Sequence, residues 1–97
     1  MPKQPAIYIM ANKRNGTLYT GVTSHIIQRN WQHKNAEMNG FAAKYGCTML
    51  VYYELYDDML TAITREKRIK AGSRKKKLAM IESMNPNWDD LSTSLWS

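Results

Sequence analysis

Cysteine is nearly missing from this chain. Cys47 stands alone among 97 residues, which excludes an internal disulfide and any zinc site built on cysteines; a lone cysteine is expected to serve as a small buried apolar residue. With only two histidines, there is no His/Cys cluster at zinc-finger spacing. No apolar run approaches the ~20 residues that span a bilayer. The opening Met1-Pro2-Lys3-Gln4-Pro5 is not followed by the apolar core of a signal peptide. These two absences argue for a cytoplasmic protein with no membrane partner. A phosphate-cradling Gly-rich loop and a Ser-His-Asp set in supporting context are also missing, as are internal repeats and low-complexity linkers.

Acidic residues are scarce as well. Eight Asp and Glu stand against 14 Lys and Arg, a formal net charge of +6, and a basic balance favours polyanions such as nucleic acid. The excess is concentrated in Arg65, Lys67, Arg68, Lys70, Arg74, Lys75, Lys76 and Lys77, whereas the end of the chain after Asn85 carries Asp89 and Asp90 and no base. Such asymmetry points to a polyanion-binding face, to which Lys34 is added from the first helix.

The length suits one domain, and a chain this short has a modest core, so reactive groups are expected in a shallow cleft. Residues 1–5 read as a loose lead-in, 6–84 as the domain and 85–97 as a tail that packs back on it. Ala6-Ile7-Tyr8-Ile9-Met10-Ala11 and Thr17-Leu18-Tyr19-Thr20-Gly21-Val22 read as strands. Asn15-Gly16 at the end of the intervening loop signals a hairpin. Thr23 or Ser24 can cap a helix from Ile26 to Lys34. Phe41 to Tyr45 fits a short helical turn, and the β-branched and aromatic stretch Thr48–Leu55 fits a third strand. Asp57 or Asp58 can cap a helix to about Lys70, with Gly72 suited to its end. Ser73 can cap a last helix to about Met84, stopped by Asn85-Pro86. The order β-β-α-β-α-α gives a small α/β domain of three strands with helices packed on them.

Several residues could carry chemistry. Glu66 falls on the apolar stripe marked by Leu60, Ala62, Ile63 and Ile69. An inward carboxylate is costly unless paired or metal-bound; taken alone, an ion pair with a nearby Lys or Arg is its plainer account. Arg29 and His33, four apart, share a helix face. Tyr8 and Tyr19 sit one on each hairpin strand. They share a sheet face only if paired residue numbers sum to an odd value. Phe41, Tyr45, Tyr52 and Tyr53 could stack on bases, but core positions are the plainer expectation for them.

Ala6-Ile7-Tyr8, Tyr19-Thr20-Gly21, Arg29, His33, Glu66 and Asn85 together resemble, in order and spacing, the GIY-YIG nuclease pattern. Arg65 to Leu78 and Ile81 to Trp88 look like its small single-domain bacterial branch. The resemblance implies a three-stranded antiparallel sheet flanked by helices and a DNA endonuclease that hydrolyses a phosphodiester with one Mg²⁺ or Mn²⁺. It implies that Glu66 ligates the metal and Arg29 steadies the phosphate. It further implies that Tyr8 and Tyr19 supply or orient the general base, with His33 in the same network and Asn85 in support. The chain departs from the pattern at Ala6, where the family has glycine, and at Thr20, where it has isoleucine. No second DNA-binding domain is attached, so the basic run alone, or a targeting partner protein, would supply recognition. The first reading is a metal-dependent endonuclease for structured or branched, damaged or single-stranded DNA; the competing reading is a non-catalytic nucleic-acid-binding module acting with a partner. The nuclease reading expects two phenols, a guanidinium, an imidazole and a carboxylate to meet on one side of the sheet.

Overall fold

The computed structural model describes residues 3–35 and 40–95. Strands β1 (Ala6–Ala11), β2 (Leu18–Thr23) and β3 (Met49–Leu55) form one antiparallel sheet in the order β2-β1-β3. They are joined by helices α1 (Ile26–Lys34) and α2 (Phe41–Lys44) and followed by α3 (Met59–Ala71), α4 (Arg74–Met84) and a 3₁₀ helix, Leu91–Leu95. This is the expected α/β order.

β1 is apolar because it is the middle strand and both its faces are covered. Ile7, Ile9 and Ala11 point to one side, where Ala62 and Ile69 of α3, Ile81 of α4 and Trp88 close over them. Ala6, Tyr8 and Met10 point to the other, against Ile26 of α1, Ala42 of α2, Cys47 and Leu50. The domain is therefore three layers: α3 and α4 on one side of the sheet, α1 and α2 on the other. Ile9 pairs with Tyr52 and Met10 with Leu50, so Val51 is the extra residue of a bulge in β3.

The cap residues of the last two helices behave as their chemistry dictates: Asp58 accepts from the Thr61 N–H and Ser73 from the Lys76 N–H, each satisfying an orphan donor of the first turn. Elsewhere the local expectations need correction. His25, rather than Thr23 or Ser24, is the N-cap of α1. Thr23 ends β2, and Ser24 is engaged through its carbonyl by the Gln4 N–H. Gln4 and Pro5 are not a loose lead-in. Gln4 bridges His25, its side chain donates to the Tyr56 carbonyl, and Pro5 accepts from the Tyr56 N–H. In the hairpin loop Asn15 takes the left-handed conformation, with φ 56°, and Arg74 donates to the Asn15 and Gly16 carbonyls. Gly72 is extended, not left-handed, because the chain passes straight into the Ser73 cap. Leu60 leaves the apolar stripe and is 76% exposed; two residues before Ala62, it lies about 200° around the helix from it.

The tail is held by Asn85 and Trp88. Trp88 is buried against the α3–α4 side, and Leu91 and Leu95 pack on the opposite side. The expected tail contact of Trp96 and the chain break at Asn39 lie outside the described residues. No helix among the described residues is long and apolar enough to cross a membrane.

Candidate active site

The register decides where the tyrosines go. Tyr8 lies opposite Gly21 and Met10 opposite Tyr19. These pairs sum to an odd number, so both phenols share the face covered by α1 and α2. Their ring centroids are 6.2 Å apart. Tyr8 is one pair further along than direct opposition, which sets its ring over Gly21. A β-carbon built on Gly21 would stand on the phenol oxygen and only 2.5 Å from Cζ.

α1 completes the cluster. Arg29 and His33, one turn apart, both reach the Tyr8 hydroxyl. His33 Nε2 is 3.1 Å from it, and Arg29 Nη1 donates to it at 3.5 Å, the outer limit of hydrogen-bond reach. The His33 ring also lies 5.5 Å from the Tyr19 ring. Tyr8 is 1% exposed and His33 3%, while Arg29 and Tyr19 are half-buried and line the opening.

Burial sets the protonation states. Desolvation pushes the Tyr8 phenol up to about 12 against the smaller opposing pull of Arg29, so Tyr8 keeps its proton at neutral pH. Desolvation, then the Arg29 charge, brings the His33 imidazolium down to about 4, so His33 is neutral. Arg29 can only donate. A phenol that accepts from Arg29 can donate its own proton to a bare His33 Nε2, giving a donor chain that ends on the imidazole's one acceptor lone pair.

The motif departures have local answers. Ala6 is buried and paired between Thr23 and Leu55, so its methyl is accommodated. Thr20 pairs with Ile9 and faces the α3 side, away from the phenols.

Glu66 does not join this cluster. It lies on the sheet-facing stripe of α3 with Ala62 and Ile69, and α3 packs on the opposite face from Tyr8 and Tyr19. Its side chain is largely buried and pairs with Lys70 at 3.2 Å, the ion pair of its plainer account. The expectation of five groups on one side is thus corrected to four, with the carboxylate in the layer across the sheet. Residue spacing along a helix reveals which positions share a face, not which layer the helix joins. Asn85 also stands apart. Its amide donates to the Val51 and Asp89 carbonyls and accepts from the Asp89 N–H, so in this structure it ties the tail to β3.

The basic residues divide. Lys34 is paired with Asp90, and Lys70 with Glu66. Arg65 grips Glu54 through two bonds of 2.9 and 3.1 Å, in a network that Tyr52 and Tyr56 complete. Arg74 holds the hairpin. These partners, distant in sequence apart from the Lys70–Glu66 pair, were invisible to charge counting. Lys67, Arg68, Lys75 and Lys76 are exposed and Lys77 half-buried, on α3 and α4. Two aromatic residues expected in the core are instead on the surface: Phe41 is 49% and Tyr45 44% exposed. α2 is too short to bury more than Ala42.

Comparison with known proteins agrees with this arrangement. Residues 4–79 match the GIY-YIG catalytic domain family. The UPF0213 protein SH2523 of Staphylococcus haemolyticus is 42% identical over 80 residues, covering 78% of this chain and 92% of its own. SSP2268 of Staphylococcus saprophyticus is 39% identical over 75 residues, 77% and 90% of the two chains. CPE1444 of Clostridium perfringens is 37% identical over 81 residues, 79% and 82% of the two chains. No solved structure matches significantly. The family extends from β1 through α3 into α4 and includes both tyrosines, Arg29, His33 and Glu66: the chain belongs to the GIY-YIG catalytic domain family, a family of nuclease type.

Proposed function

We propose that this protein is an endonuclease that hydrolyses phosphodiester bonds in DNA at the Tyr8–Tyr19–Arg29–His33 cluster. The observation that carries the reading is the Tyr8 hydroxyl held between the Arg29 guanidinium and the neutral His33 imidazole. Arg29, half-exposed and always charged, offers phosphate a planar donor fork and stabilises negative charge that grows on the phosphoryl oxygens. Tyr19, the half-exposed phenol, is the one placed to meet and orient a water. That water attacks phosphorus, the bond to the leaving oxygen breaks, and the leaving oxygen takes a proton from solvent. The proton lost by the water enters the phenol–imidazole cluster. Because burial and Arg29 hold the His33 imidazolium down at about 4, the imidazole relays the proton on to solvent and does not keep it at neutral pH.

A divalent ion belongs to this proposal through Glu66. Among the described residues no three His, Cys, Asp or Glu side chains stand together. Glu66 offers a single, largely buried carboxylate with one lysine partner. That donor set fits Mg²⁺ or Mn²⁺, hard ions that keep most of their waters and are completed by substrate phosphate. When bound, the ion would supply positive charge to a substrate phosphate on the α3 side of the sheet and so position the strand, while Arg29 meets the phosphoryl group that is cut. Because α3 is across the sheet from the phenols, the substrate backbone would round the open β2 edge to meet both. The exposed bases of α3 and α4 would hold it there by sequence-tolerant phosphate contacts.

The position and pairing of Glu66 favour one alternative, a binding module that does not cut. Labelled DNA panels with Mg²⁺ or Mn²⁺ separate the two. Cutting by the wild type, lost in Tyr19→Phe and in Glu66→Ala with binding retained, is the expected result. Binding without cutting on every substrate would establish the alternative. Cutting that survives Glu66→Ala would remove Glu66 from metal binding.

A further inference from the structure

The cluster has an aromatic extension that its chemistry does not use. Phe41 stacks on Tyr19 with centroids 6.4 Å apart and planes 25° from parallel, and Tyr45 lies 4.6 Å beyond Phe41. The Lys44 ammonium sits 5.5 Å from the Tyr45 centroid. These rings are not loosely displayed. Ala42 between them is buried, and Cys47, also buried, donates its N–H to the Ala42 carbonyl. Gly40 and Gly46 bracket α2 at φ 101° and 66°, a left-handed backbone that favours glycine. α2 is therefore anchored on its inner side and turns two large rings outward, in line with the half-exposed phenol of the cluster.

Half-exposed aromatic rings next to a guanidinium and an ammonium match one chemistry closely. A nucleobase offers a flat π face to the rings and a phosphate to the cations. Bases inside a duplex have both faces covered by their neighbours and cannot use such a surface. We infer that Phe41 and Tyr45 form a stacking ledge for one or two unpaired nucleobases adjoining the phosphate held at Arg29 and Tyr19, so that the substrate is a nucleic acid unpaired beside the cut. This inference rests on the nuclease reading for its scissile phosphate, but the ledge itself is tested by binding alone.

The test uses the full chain, a short oligonucleotide carrying 2-aminopurine, and the same strand annealed to its complement, with EDTA present so that nothing is cut. Stacking on the ledge is expected to quench 2-aminopurine in the single strand and not in the duplex. The double variant Phe41→Leu/Tyr45→Leu keeps apolar bulk but removes both rings. It is expected to weaken single-strand binding about tenfold or more, from base–aromatic stacking, and to leave duplex affinity within about twofold. An unquenched single strand bound by wild type would overturn the ledge without reference to any variant. So would equal losses, or no loss, for the two DNA forms. A parallel Mg²⁺ reaction keeps the two ideas apart. Ledge-dependent binding with no cutting supports the ledge and removes the nuclease reading. Cutting of fully paired DNA as fast as single-stranded DNA overturns the ledge and leaves the nuclease reading standing.

Discussion

The phenol of Tyr8 occupies the space that a side chain on Gly21 would need. The two residues face each other across β1 and β2, so the glycine of one motif is the seat for the tyrosine of the other. The Gly21 position is thus explained by cross-strand space.

Gly21→Ala is accordingly expected to displace the Tyr8 ring and break its contacts with His33 and Arg29. Overpacking of this kind costs about 1–3 kcal/mol, readable as a lower urea midpoint. In a double-mutant cycle with Tyr8→Leu the two losses are expected to be strongly non-additive. Additive losses would show that the pair is not in contact.

His33 gives a pH signature. Its folded pKa is lowered to about 4 by burial and then by Arg29, from an unfolded value near 6.5. Between those values the unfolded chain binds the extra proton, so stability rises with pH. The penalty is absent above about 6.5 and grows as pH falls to about 4, reaching on the order of 2–3 kcal/mol. Burial raises Glu54 and Asp90, but hydrogen bonds from Arg65 and the tyrosines, and from Lys34 and Ser92, outweigh it and lower both. Their stabilisation is lost only at lower pH, as pH falls through those depressed values. Denaturant midpoints from pH 4 to 7 are expected to slope for wild type and flatten for His33→Gln. An unchanged slope would place the titration elsewhere.

Salt dependence separates bases held inside the protein from those left for a ligand. Lys75→Ala and Lys76→Ala are each expected to lower the slope of log affinity against log salt by about 0.7–0.9 for every phosphate that the variant no longer neutralises. Arg65→Ala is expected to leave that slope unchanged and to lower stability by about 1–2 kcal/mol. That figure is kept small because the guanidinium is more than a third exposed. A reduced slope for Arg65→Ala would return it to the binding face.

Local patterns carried much of this structure. Strand alternation reduced the placement of Tyr8 and Tyr19 to a question of parity that the register then answered. Helical spacing brought Arg29 and His33 together, and Asp57 or Asp58 and Ser73 announced their helices. The unread parts are tertiary. Nothing local tells that α3 packs on the far face and carries Glu66 away from the phenols, or that Arg65 meets Glu54 and Arg74 reaches the hairpin. Phe41 and Tyr45 looked like core residues because aromatic residues usually are. Their exposure follows from the shortness of α2 and the two glycines that end it, a geometry that composition does not display.

The most direct test of the central claim is the single-turnover cutting rate of Arg29→Ala beside wild type, with saturating protein, Mg²⁺ and the bound fraction measured in the same tubes. Arg29 touches the Tyr8 phenol and lines the opening. Removing a transition-state charge donor of this kind is expected to slow cutting about 10²–10³-fold while DNA stays bound. Cutting at the wild-type rate by the bound variant would contradict the assignment of phosphodiester hydrolysis to this cluster.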